Sequence, residues 1–367
     1  MKGPVCGARD ENSNPTAVSP ALLASLLCSC AAIVLTFIEL LKFDIPLIRY
    51  VRSLNDFQLD HLHNPWLARL SDVGDQLGRG ESLVIVSVLL LVVGYGLKRS
   101  IWKSAGWETL LAHALSGLVN NALKHVIGRG RPKFMHAGNS FAPLAGSGWD
   151  SFPSGHSMAS FAVATVLAEK FPKARWPVML LAMAIAVSRM IRGSHYLTDV
   201  VAGAILGVLI GAVSAHPWKD WRTSLTSALF AVTSPLAACL VLMTTIGYPL
   251  AHDGTARVLS SAGLVLALLA LAVLVLMRMQ PVLLSSYVTR PLVLALIGLG
   301  IGMFPGSAWV AIIMLLTSMA YWIRHDFSAS EASSTSHRPW PYEAAFGLAV
   351  LLTLYTMIEL RGALPIG

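Results

Sequence analysis

Residues 21–41 read ALLASLLCSCAAIVLTFIELL, with a single charged side chain at Glu39. A hydrocarbon core of about 30 Å takes roughly 20 helical residues to cross, so this stretch predicts a membrane-spanning helix. It is too long for the apolar core of a signal peptide and lacks a clear small-x-small cleavage site, so it is expected to be retained. Runs of the same character recur at 83–97, 108–127, 157–171, 176–190 and 199–215, then at 225–250, 258–277, 291–304, 308–323 and 344–360. The reading is therefore all-α, a polytopic membrane helical bundle of six spans followed by about five more.

Composition agrees. Hydrophobic residues make up 55% of the 367 positions and charged residues 13%, with a mean hydropathy of +0.65, which excludes an ordinary soluble domain. The net charge of +8 does not mark a nucleic-acid partner, because Lys and Arg sit in short connections between apolar runs and form no basic face. Cys6, Cys28, Cys30 and Cys239 are too few and too scattered for a disulfide framework.

Basic residues in short loops mark the cytoplasmic side. Lys98, Arg99 and Lys103, then Lys170, Lys173 and Arg175, then Lys219 and Arg222 put the second, fourth and sixth connections there. The first connection carries five basic residues against six acidic ones and is expected to face outward. The third and fifth connections share its side. Trp102, Trp107, Trp176, Trp218 and Trp221 fall beside the cytoplasmic ends, where indole rings anchor helices at the interface.

Three clusters lie on the outward side. The first is Lys124, six residues, then Arg131-Pro132. A compact ammonium and a planar guanidinium suit a phosphate, and Pro132 is expected to end the helix. The second, Pro153-Ser154-Gly155-His156, directly precedes the fourth span. The start of that helix offers unpaired N–H groups to an anion, Gly155 permits close approach, and the Ser154 hydroxyl adds a donor. His156 can give a proton to a departing oxygen near neutral pH. The third is Ser188-Arg189, five residues, His195, three residues, Asp199. Positions four apart share a helix face, so Asp199 can orient one ring nitrogen of His195 and leave the other to attack phosphorus, with Arg189 holding phosphoryl oxygens.

Together these clusters resemble the three-part signature of the type 2 phosphatidic acid phosphatase superfamily: Lys-x6-Arg-Pro, Pro-Ser-Gly-His and Ser-Arg-x5-His-x3-Asp. Every fixed position is present, and the resemblance covers roughly residues 21–215. It implies a six-span lipid phosphatase core over 21–218; outside it, the polar residues 1–20 read as a cytoplasmic N-terminal tail and 219–367 as a C-terminal membrane extension of unknown role. The resemblance also implies a metal-independent, cofactor-free enzyme in which His195 becomes phosphorylated, Asp199 orients it and His156 protonates the leaving group. Lys124, Arg131, Ser154, Gly155 and Arg189 match phosphate-binding positions. The implied partners are a phosphorylated lipid substrate and membrane lipids, and the implied location is a bacterial inner membrane with the active site on its periplasmic face.

Arg192 departs from the family pattern, where an apolar or aromatic residue is common. It reads either as a contact to a diphosphate or bulky anionic headgroup, or as an exposed side chain. Arg129 and Lys133 carry the same two readings. His113, Asn120, Asn121 and Lys124 form a polar stripe whose expected role is helix packing. The motifs leave open a phosphotransferase that discharges the same phosphohistidine onto a hydroxyl, and a transporter or flippase role for the C-terminal spans.

Overall fold

The computed structural model describes residues 20–54, 65–134, 141–146, 148–247, 254–279 and 289–331. Nearly all of them are helical: α1 (Pro20–Leu54), α2 (Pro65–Leu77), α3 (Gly80–Gly96), α4 (Ser100–Ile127), α5 (Gly155–Lys170), α6 (Arg175–Ile191), α7 (Leu197–Ser214), α8 (Trp221–Gly247), α9 (Gly254–Met279), α10 (Thr289–Met303) and α11 (Ala308–Glu331). A single bridge between Arg129 and Phe141 is the only extended pairing among the described residues. The all-α membrane bundle is thus observed. Each expected span up to 308–323 coincides with a helix, while 344–360 and the tail 1–19 lie outside the described residues.

Among the described residues, five helices are long and apolar enough to cross a membrane alone, or up to six if α2 and α3, bent by 57°, form one span. This is an integral membrane protein. α5 falls short of that measure at 16 residues, yet it needs no lipid-compatible surface: it is buried along nearly its whole length, wrapped by α4, α6 and α7. That position puts its N-terminus at the centre of one end of the bundle.

Two local expectations change. α1 does not stop at residue 41 but continues to Leu54, so residues 42–54 are helix and not outward loop. Lys42 is accommodated by Glu39 one turn back, at 2.8 Å, and Asp44 by partners from distant segments that local sequence does not reveal. Within the same supposed loop lies α2. Its buried positions Ser71, Gly74 and Asp75 face α6, while Trp66, Leu70, Val73 and Leu77 form an exposed apolar stripe. Such two-faced helices lie in the membrane interface.

The C-terminal helices pack directly on the first six spans. One apolar cluster joins Leu40 and Phe43 of α1, Leu197 of α7, Leu240 of α8, Ile297 of α10 and Ile313 of α11.

The tightest packing is between α5 and α7. Gly203, Gly207 and Gly211, four apart on one face of α7, let it lie against the α5 backbone. A Cβ at Gly203 would stand 2.5 Å from the Ser154 carbonyl oxygen, and one at Gly207 would fall on the Met158 carbonyl. Because backbone cannot yield as a side-chain tip can, Gly207→Ala is expected to cost about 1–3 kcal/mol, seen as a lower thermal midpoint in detergent. Gly117→Ala, whose added Cβ meets nothing within 4 Å, is the matched control and should hold its midpoint. Equal midpoints would mean that the helices part without cost.

Candidate active site

α4 ends at Ile127 because Gly128 adopts a left-handed conformation, φ 59°, with its N–H donating to the Lys124 carbonyl at 2.9 Å. A side chain there would collide with the Ala142 carbonyl. The stop is therefore Gly128 and not Pro132, which instead opens a short 3-10 turn, Pro132–Phe134. Past this stop, Arg131 donates from Nε and Nη2 to the two oxygens of Asp150, at 2.8 and 2.6 Å, and Lys124 Nζ stands 3.8 Å from Asp150 Oδ2. Burial pushes the Asp150 carboxyl up, but the Arg131 hydrogen bonds and the two cations outweigh it and hold the group below the ordinary carboxylate range.

Ser154 is the N-cap of α5. Its buried Oγ accepts from Ser157 N–H at 3.4 Å and Ser157 Oγ at 3.0 Å, while its own N–H donates to the Asp199 carbonyl at 2.9 Å. Gly155 and His156, in the first turn, have amides without an intrahelical acceptor. Gly155 is also where α4 comes closest, since a Cβ there would stand 2.9 Å from the Asn120 amide nitrogen. Asn120 from the polar stripe thus packs at the base of the site.

Arg189, near the C-terminus of α6, donates through Nη1 to Asp75 of α2 and through Nη2 to Ser194 Oγ at 3.4 Å. Asp75 gathers several cations: Arg79 donates to it at 2.9 Å and Arg192 stands 3.8 Å away. Its Oδ1 also lies 3.5 Å from His156 Nε2, a buried nitrogen with no hydrogen bond among the described residues. Arg192 itself is partly exposed and reaches Asp72 at 3.5 Å, so it belongs to the edge of this acidic helix.

His195 sits in the turn before α7 and not on the helix itself. Its Nδ1 donates to the Ser151 carbonyl at 2.7 Å. A carbonyl can only accept, so Nδ1 carries a proton, and in the neutral ring Nε2 then keeps its lone pair. Asp199 Oδ2 is 3.8 Å from Nδ1, too far for a hydrogen bond, and acts on the ring as a neighbouring charge. The Asp199 oxygens are engaged elsewhere: Oδ1 by Arg129 Nη1 at 2.5 Å, Oδ2 by Ser151 Oγ at 2.5 Å and Tyr196 N–H at 2.9 Å. Burial lowers the His195 imidazole below its ordinary value, opposed by the Asp199 carboxylate. A neutral ring with a bare Nε2 is the form a nucleophile needs.

All three clusters therefore meet at one end of the bundle. The structure adds residues that the motifs do not contain: Asp44, Asp75, Asp150, Ser151 and, turned inward, Arg129. For Asp75 a signal was present, since Trp66, Leu70, Val73 and Leu77 repeat at helical spacing. For Asp150 and Ser151, in a glycine-rich loop, there was none.

The family model described as PAP2 superfamily matches residues 105–223. A lipid A 1-phosphatase of Rhizobium johnstonii is 34% identical over 165 residues, which are 40% of this chain and 68% of that one. The chain belongs to the PAP2 superfamily. Another relative, phosphatidylglycerophosphatase B of Bacillus subtilis, is 32% identical over 162 residues, 41% of this PAP2 chain and 74% of its own. Among solved structures, the PAP2-type phosphatidylglycerolphosphate phosphatase of Bacillus subtilis is similar with a TM-score of 0.34 and 23% identity, covering 56% of this chain and 95% of that one. The PAP2 match spans α4 to α7 and includes Lys124, Arg131, His156, Arg189, His195 and Asp199, whereas Asp44 and Asp75 lie outside it.

Proposed function

We propose that this protein is a metal-independent membrane lipid phosphatase working through a phosphohistidine. The observation that carries the reading is His195, with Nδ1 tied to the Ser151 carbonyl and Nε2 making no hydrogen bond among the described residues, in one site with Lys124, Arg131, Arg189 and the start of α5. The substrate phosphate binds among those cations. Nε2 attacks phosphorus as the P–O bond to the lipid breaks, and His156 gives its proton to the departing lipid oxygen. A water molecule then attacks phosphorus, His156 takes its proton, the P–N bond breaks and inorganic phosphate leaves. Charge that builds on the phosphoryl oxygens is met by the guanidinium and ammonium groups, the part a metal plays in other phosphatases.

Relatives named for lipid A, phosphatidylglycerophosphate and decaprenylphosphoryl-phosphoribose support a lipid phosphate monoester or diphosphate as the substrate class. Loop charge supports an orientation with the N-terminus inside and this site on the outer face, and the bacterial relatives support a bacterial inner membrane, which makes that face periplasmic. The test is phosphate release by the purified protein, with EDTA present, over a panel of phosphorylated lipids and their soluble headgroups, then with intact spheroplasts given the best of them. Release from one lipid class, undiminished by EDTA and occurring outside the spheroplast, is expected. Loss of activity in EDTA, or silence on every lipid from folded protein, would overturn the reading.

A further inference from the structure

Arg129 lies in the spacer between Lys124 and Arg131, whose side chains reach the site, yet its own side chain turns the other way. It is 1% exposed, deeper than either neighbour in the motif. Its guanidinium bridges two helices: Nη1 donates to Asp199 Oδ1 at 2.5 Å and Thr198 Oγ at 2.8 Å on α7, and Nη2 to Asp44 Oδ2 at 2.6 Å on α1. Asp44 completes the bridge by accepting the Thr198 N–H at 3.0 Å and its hydroxyl at 2.5 Å. The Tyr196 ring stacks against the guanidinium, 4.3 Å away.

Both groups that set the His195 ring lead back to this arginine. The Ser151 carbonyl, which holds Nδ1, belongs to a residue whose N–H donates to the Arg129 carbonyl at 2.9 Å. Ser151 Oγ is bonded to Asp199, whose other oxygen Arg129 holds. Burying three ionisable groups together gives little net stability compared with apolar packing, so their value lies in fixing geometry. A planar fork is the side chain that can serve two carboxylates at once.

We propose that Arg129 and Asp44 are positioning residues for the nucleophile: clamped between α1 and α7, they hold Asp199 and Ser151 so that His195 Nε2 is aimed at phosphorus. This rests on the phosphohistidine reading above. Neither residue touches substrate. Misaiming the ring slows bond formation to phosphorus, while the phosphate site built on Lys124, Arg131 and Arg189 stays intact.

Asp44→Asn, close to isosteric, is expected to lower kcat and the single-turnover rate of His195 phosphorylation together by about 10- to 100-fold, since small misplacements cost that much. KM and competitive inhibition by inorganic phosphate should stay within about twofold, the pattern of an interaction used only in the transition state. Arg129→Lys, which reaches one carboxylate, should fall between wild type and Arg129→Met. If the charge variants fail to fold, Thr198→Val removes the hydroxyl that Arg129 and Asp44 share, without removing a charge, and should lower kcat alone. An unchanged kcat in folded variants overturns the proposal. So does a parallel loss of kcat, phosphate affinity and thermal midpoint, which is the behaviour of a structural brace. If wild type itself carries no acid-labile, alkali-stable phosphate on His195, the phosphohistidine reading fails first, whatever these variants do.

Discussion

His195→Ala is expected to lose phosphate release by about three orders of magnitude or more, leaving the protein folded and still able to bind inorganic phosphate. The size follows from what the side chain does. In the proposed mechanism it supplies the electron pair that makes the new bond, and no neighbour can substitute: His156 stands on α5, and the Asp199 oxygens are held by Arg129, Ser151 and the Tyr196 amide. Binding is expected to survive because the cations proposed to hold phosphate are on α4, α6 and the loop after α4. Brief incubation of wild type with radiolabelled substrate and an alkaline quench should leave label on the protein, absent from His195→Ala. In wild type, the lowered His195 value keeps the ring neutral to more acid pH than the usual value of about 6.5, so the acid limb of kcat/KM should fall below that pH. Label retained by His195→Ala would remove this residue from the chemistry.

His156→Ala should behave differently, and the difference is informative. General acid catalysis contributes about 10²–10⁴-fold, and most when the leaving oxygen is a poor one. Turnover of a lipid phosphate, whose alkoxide needs a proton, is expected to drop by that range. With p-nitrophenyl phosphate the leaving group departs unprotonated, so the first step should proceed while hydrolysis, lacking its base, stalls. Phosphohistidine should then accumulate. Equal losses on both substrates with no accumulation would count against His156 as the proton carrier.

The bundle and the place of the candidate site were legible for different reasons. Spans betray themselves by length and apolarity, and the three clusters by residue types whose spacing suits phosphate transfer. What escaped was whatever depended on partners far apart in the chain. Asp44 looked like loop charge because its compensating Arg129 is 85 residues away. Arg129 could be read as pointing outward or inward, and only the crossing of α1 over α7 decides. The four-residue step from His195 to Asp199 suggested one helix face, but α7 begins after His195, so the ring bonds to Ser151 instead. α2 was hidden by its acids, although its apolar stripe was there to be found.

The pairing of Lys124 and Arg131 with Asp150, and of Arg189 with Asp75, makes the proposed phosphate site resemble an ion exchanger already loaded with its own counter-ions. Arg131 and Lys124 share one carboxylate, Arg189 and the Nε2 edge of His156 another. An incoming headgroup must therefore displace a resident acid and not merely find a positive surface. A lipid carboxylate, with one charge and two oxygens, exchanges like for like and gains little. A phosphate dianion brings more charge and a third oxygen, enough to engage both cation groups and the start of α5 together. In the proposed function, selectivity for phosphorylated lipids in an anionic membrane becomes a matter of relative charge density, set by two aspartates to which that mechanism gives no part in breaking the bond.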